Sequence, residues 1–328
     1  MGGGHFGAVF ALAAFGVFAT HDVLVKTLGA TYSPIQIIFF SVLFGFPVVT
    51  MALLGDRTDG NLRPRHPGWT ALRTLATVIT GLCAFYAFSV LPLAQTYAIL
   101  FATPLIITIL AVPMLGETIR LRRIVAVIFG FIGVMVVLQP GANPLSMGHL
   151  AALTAATGSA IASIIVRKLG SGERGVVLLL YPMAANFVVM GAALPFVYRP
   201  MPILDLAMVA AIAIMGAIAT ALIIQAYRRS EAGVVAPMQY SQILWATAYG
   251  AIFFDEQPEW NVVVGAAIII LSGIYILWRE RRAKASPMRP VSRTLHVRLD
   301  TGTLPRIGVM LRRRRSVESS LANRSPDV

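Results

Sequence analysis

Gln239, Gln242, Trp245, Ala246 and Tyr249 recur at helical spacing. At ~100° per residue they fall within an arc of about 120°. Two amides and two amphipathic rings on one face can stack against a flat organic solute and hydrogen-bond its edges without imposing a fixed charge. Tyr97, Phe101, Pro104 and Thr108 share a second, narrower arc of about 60°. Pro104 has no N–H, so the carbonyl of Leu100 loses its helical donor and is left for another partner. The competing reading of both faces is structural: amides bonded between helices, Trp245 anchored at an interface, and Pro104 as a kink with nothing bound.

Asp22 and Lys26 stand one turn apart and share a stripe with Phe15 and Phe18, whereas His21 lies about 100° round. A carboxyl group inside a span is costly, which makes Asp22, with Lys26 as its partner, the candidate for proton coupling. Burial and the ammonium act on its protonation with opposite sign. The alternative is an interfacial anchor, in which Lys26 snorkels to the surface and Asp22 neutralises it. His21 is assigned to that interface, and Glu117 and Glu256 to the N-terminal ends of the helices that follow them.

Such side chains need a framework that holds them within lipid. The chain has 57% apolar and 12% charged residues and a mean hydropathy of +0.76, outside the range of an ordinary soluble domain. Its apolar stretches approach the ~20 residues that cross a bilayer. Because lipid offers no backbone partners, they read as helices. The pattern predicts an all-α integral membrane protein of ten spans: 6–26, 34–54, 70–90, 94–114, 123–139, 149–167, 176–197, 205–227, 233–254 and 261–279.

Charge sets the orientation. With the N-terminus cytoplasmic, Arg57, Arg63, Arg65, Arg73, Arg120, Arg122, Arg123, Arg167, Lys168, Arg174, Arg228 and Arg229 fall inside, and Lys26 and Arg199 outside. Both termini are therefore expected in the cytoplasm. The net charge of +13 is concentrated in residues 279–328, where 13 basic residues face 4 acidic ones. This tail, with Arg312 to Arg315, reads as a disordered extension able to contact anionic lipid headgroups. No aromatic residues are interleaved with its basic run to stack bases, so nucleic acid is not the expected partner. Cys83 is the single cysteine, which excludes an intramolecular disulfide.

Residues 85–139 and 224–278 resemble each other: Gly116-Glu117 and Asp255-Glu256 each end a span, and Gly133 and Gly273 each sit in the next. Five spans per unit make the second unit enter the membrane from the opposite side, the pattern of an inverted-topology repeat. The expected units are 1–143 and 144–280, followed by the tail 281–328. Tyr32-Ser33-Pro34, Pro104, Gly116-Glu117, Gly130-Phe131-Ile132-Gly133, Glu256 and Gly273 resemble the drug/metabolite transporter superfamily, in particular its ten-helix EamA-type members. Ser41 departs from the Arg that many members carry in the second span. The resemblance implies a bacterial-type inner-membrane carrier of a small organic metabolite. Export of amino-acid-like metabolites comes first, and import of a planar vitamin or nucleoside-like solute, of riboflavin or S-adenosylmethionine type, second. A membrane enzyme or a scaffold is the alternative of another class. No Walker loop, metal-spaced His and Cys set or nucleophile elbow is visible, so no cofactor, metal or catalytic residue is expected.

Overall fold

The computed structural model describes residues 3–54, 63–116, 121–140, 145–169, 173, 175–230 and 232–282. Glu117, Arg120, Asn143, Arg57, Arg174 and the tail with Arg312 to Arg315 lie outside the described residues. The helices run α1 (Gly3–Gly29), α2 (Pro34–Leu54), α3 (Pro67–Val90), α4 (Leu93–Leu100), α5 (Thr103–Leu115), α6 (Leu121–Leu138), α7 (Met147–Leu169), α8 (Gly175–Ala193), α9 (Ile203–Arg229), α10 (Ala232–Val235), α11 (Ser241–Phe254) and α12 (Trp260–Arg282). A 3-10 segment, Ala236–Tyr240, joins α10 to α11. With α4–α5 and α10–α11 each taken as one broken span, the described residues form ten spans. The segments Gly7–Gly29, Pro67–Val90, Leu93–Leu115, Met147–Leu169 and Ile203–Arg229 are long and apolar enough to cross a membrane.

Packing repeats between the halves. The α1–α9 contact is matched by α7–α3, α2–α9 by α8–α3, and α1–α11 by α7–α5, while α6 packs on α12, α2 on α8 and α4 on α11. Exchanging the halves maps these pairings onto one another, apart from α4 on α11. The α6–α12 contact brings backbone against backbone: a Cβ at Gly133 would stand 2.8 Å from the Gly265 carbonyl oxygen, and one at Gly265 2.6 Å from that of Gly133. Only glycine allows that approach, and van der Waals packing of this kind is what holds helices together in lipid.

Side-chain bonds tie the loops at each end. At one end the Tyr32 phenol donates to Asp205 Oδ2 at 2.5 Å, and Gln36 exchanges two bonds with the Arg199 backbone. The Asp205 bond is the foremost influence holding the Tyr32 phenol above its ordinary pKa. At the other end Glu173 Oε2 accepts the Arg65 and His66 N–H groups at 2.8 and 3.0 Å. Lys168 Nζ donates to the Met114 carbonyl at 3.0 Å.

Candidate functional site

The fourth span is not one helix. It breaks at Phe101–Ala102, and Pro104 sits in the first turn of α5, where its missing N–H costs least. The Leu100 carbonyl freed by Pro104 is not left open to a solute, because Thr103 Oγ1 donates to it at 2.7 Å. Thr108 likewise turns back on its own helix, donating to the Pro104 carbonyl at 3.0 Å. The ninth span is also interrupted. Gln239 lies in the 3-10 segment, and Gln242, Trp245, Ala246 and Tyr249 on α11; side chains three apart eclipse in a 3-10 turn, and both amides are buried.

The two breaks bring α4 and α11 against α1 around Asp22, which is 2% exposed. The Tyr97 hydroxyl donates to Asp22 Oδ2. Gln242 Nε2 donates to that same hydroxyl at 3.3 Å. His21 Nδ1 lies 2.6 Å from Asp22 Oδ1. His21 and Asp22 diverge on a helical wheel, yet the imidazole reaches its neighbour's carboxylate, so the interfacial reading of His21 is replaced by a buried pair. Aromatic rings enclose this centre. Phe85 meets His21 edge-on at 6.3 Å between centroids, Phe88 meets Tyr97 at 5.3 Å, and Phe101 meets Tyr97 at 6.1 Å and Tyr240 at 5.1 Å. Donors converging on one carboxylate inside an apolar jacket can bind a proton or a cationic or hydrogen-bonding part of a solute. Low dielectric strengthens each of those contacts.

Lys26 takes a different partner from the one its spacing suggests. Its Nζ lies 2.7 Å from Glu256 Oε1 and donates to the Leu91 carbonyl at 2.5 Å. Glu256 therefore crosses to α1, and its Oε2 accepts from Leu93 N at 2.9 Å, the first residue of α4. The expectation that it serves the helix after it is corrected. On the α1-facing side of α11, Trp245 packs over Gly16 and Tyr249 accepts a hydrogen bond from Thr20 Oγ1 at 3.1 Å. The structure thus gathers Asp22, Tyr97, Phe101 and Gln242 directly, sets Trp245 and Tyr249 along the same groove of α1, and leaves Pro104 and Thr108 on the farther half-helix.

Sequence comparison decides the family. The model of the EamA-like transporter family matches twice, over residues 5–139 and 146–278. This chain belongs to the EamA-like transporter family. As an EamA-like protein it is a multi-pass membrane transporter rather than an enzyme. Among its relatives, an S-adenosylmethionine uptake transporter of Rickettsia bellii is 26% identical over 81% of this chain and 91% of its own length. A riboflavin transporter of Vibrio cholerae is 30% identical over 75% and 88%. A pseudopaline exporter of Pseudomonas aeruginosa is 22% identical over 82% and 94%. A solved crystal structure with 17% identity covers 85% of this chain and 98% of its own at a TM-score of 0.57, which speaks for the EamA-like fold alone.

Three further side chains join this cluster: His21 on Asp22, Glu256 on Lys26 and Tyr240 on Phe101. His21 was signalled by its adjacency to Asp22, and Glu256 by being an acidic residue at the same end as Lys26. Tyr240 lies outside the arc drawn for a regular helix. It is nonetheless buried against Phe101, with its hydroxyl on Gly273.

Proposed function

We propose that this protein is a secondary active carrier moving a small organic solute by alternating access, with Asp22, Tyr97 and Gln242 as the polar centre of its binding site. Phe101, Trp245 and Tyr249 supply aromatic surface, and Gln239, Pro104 and Thr108 complete the candidate lining. The observation that carries the reading is the buried Asp22–Tyr97–Gln242 chain at the meeting of α1, α4 and α11, the place where the broken spans of the two halves touch. Broken spans at such a repeat interface are where inverted-repeat carriers bind their solutes. The units 1–143 and 144–280 are the bodies that exchange conformation, both termini lie in the cytoplasm of a bacterial-type inner membrane, and the tail 281–328 rests against anionic headgroups. Asp22, met by His21 and Tyr97, couples the cycle to protons, while Lys26 one turn away is paired with Glu256.

Flat rings around one carboxylate suit a planar, ring-bearing metabolite of vitamin or nucleoside type. Relatives named for S-adenosylmethionine uptake and riboflavin transport favour that class and inward movement. Export of an amino-acid-like metabolite is the second reading, favoured by the relative named as a pseudopaline exporter. Purified protein in liposomes, tested with labelled nucleosides, flavins, sulfonium compounds and amino acids, separates them. Accumulation of a ring-bearing solute, abolished by Gln242→Ala, is expected. Movement of amino-acid-like compounds alone favours the second reading, and no movement of any solute by well-folded protein rejects both.

A further inference from the structure

We infer that Lys26 and Glu256 form a gate that closes the path from their end of the bundle to Asp22, an inference that rests on the transport reading. The pair joins three segments. Lys26 belongs to α1, Glu256 follows the end of α11, and each is fixed to the α3–α4 corner, Lys26 through the Leu91 carbonyl and Glu256 through Leu93 N–H. Both side chains are largely withdrawn from solvent, at 11% and 18% exposure, and Lys26 also stands 5.2 Å from the centroid of the Phe254 ring.

The pair lies between a vestibule and the site. A small cavity of about 70 Å³ enters from this end, lined by Pro92, Gln95, Gln257 and Glu259, and reaches as far as Glu256 and Ala246. Ala246 is one turn of α11 beyond Gln242, and Lys26 is one turn of α1 beyond Asp22. One turn is ~6 Å of rise. The vestibule therefore stops one helical turn short of the polar centre, at the ion pair. Gly250 makes the closure possible: a Cβ there would stand 2.9 Å from Glu256 Oε2, displacing the carboxylate that closes the route. A partly buried pair held by two further backbone bonds is worth more than an exposed one, yet its partners stay close enough to water to separate. That is the balance a gate needs.

A cysteine reporter beyond the gate tests this without any solute. In a Cys83→Ser background, Gln242→Cys is reacted with a membrane-impermeant thiol reagent applied on the side where Glu259 lies. Labelling is expected to be slow with the pair intact and about tenfold faster in Glu256→Gln or Lys26→Gln, the factor given by ~1.4 kcal/mol of lost closed-state preference. The double variant should label no faster than either single one, because one ion pair is lost once. Gly250→Ala, which keeps both charges but crowds the carboxylate, should move the rate the same way. Unchanged labelling in the single variants, or multiplied effects in the double, overturns the gate. Since labelling requires no flux, that failure is distinct from a failure of the liposome experiment, which would sink the transport reading instead.

Discussion

Phe101 and Tyr240 meet edge to face with centroids 5.1 Å apart. Tyr240 lies 139 positions after Phe101, the separation that also relates Asp255 to Gly116. Gly116 and Asp255 each end a broken span in the left-handed conformation, at φ 69° and 52°. The rings thus touch at corresponding places in the two halves, at the joints where each span changes direction. Phe101→Ala should remove that contact and leave a cavity, lowering the unfolding free energy in detergent by about 3–5 kcal/mol. Tyr240→Phe keeps the ring pair and should cost far less. Equal losses from both changes would show that the hydroxyl on Gly273, not the ring contact, holds the joint.

Thr103 and Pro104 form a compensated break. Thr103→Val strips the Leu100 carbonyl of the donor seen at 2.7 Å, at a cost of ~1–3 kcal/mol for an acceptor left unmet in a buried position. Pro104→Ala returns a backbone N–H to the same position. The double variant should therefore lose less stability than the sum of the two changes, measured by thermal unfolding as a double-mutant cycle. Strict additivity would mean that the hydroxyl does not stand in for the missing N–H.

Gly133→Val and Gly265→Val should each separate α6 from α12, since the facing carbonyl oxygens stand 2.8 and 2.6 Å from the new Cβ positions. Carbonyls cannot swing aside as side chains can, so the helices themselves must part. Less inserted protein and a lower unfolding midpoint are the expected results. Unaltered yield and midpoint in both variants would contradict the tight backbone contact.

Much of this architecture is legible in the residues, because crossing lipid forces long apolar helices and the repeat sets their number. What escapes is local. Pro104 announces a kink, but only the fold reveals that Thr103 answers it. A wheel drawn for a regular helix expels Tyr240 from the Gln242 face, yet the fold buries its ring against Phe101. Lys26 is one turn from Asp22 in sequence, yet its long stem takes the ammonium to Glu256, a partner 230 positions away that no periodicity links to it.

Orientation is open to direct measurement. With Cys83 replaced, single cysteines near Arg63, Lys168 and Arg229 should react with an impermeant reagent only after the membrane is opened. Those near Arg199 and Glu259 should react in sealed cells. Protection of the Glu259 site in sealed cells would reverse the assignment, because Lys26, Tyr32, Arg199 and Glu256 lie at one end of the bundle and Lys168, Glu173 and Arg65 at the other.

Proton coupling through Asp22 rests on its surroundings. The Tyr97 hydroxyl and the His21 imidazole both meet its carboxyl group, and Gln242 meets Tyr97. A solute that displaces Tyr97 would take a hydrogen bond from the carboxylate and change how well its charge is tolerated, so occupancy and protonation are linked at one group. Asp22→Asn keeps the shape and one acceptor oxygen but cannot lose a proton. It should abolish accumulation driven by a pH gradient while preserving exchange between equal solute pools, since exchange needs the alternating motion without net proton movement. Tyr97→Phe leaves the carboxyl group titratable and should retain gradient-driven accumulation, with solute affinity weakened about tenfold, the scale of one lost hydrogen bond near a charged group. Liposomes with imposed pH gradients measure both. An Asp22→Asn protein that still concentrates solute in response to the gradient would remove Asp22 from the coupling step and leave it as a binding group alone.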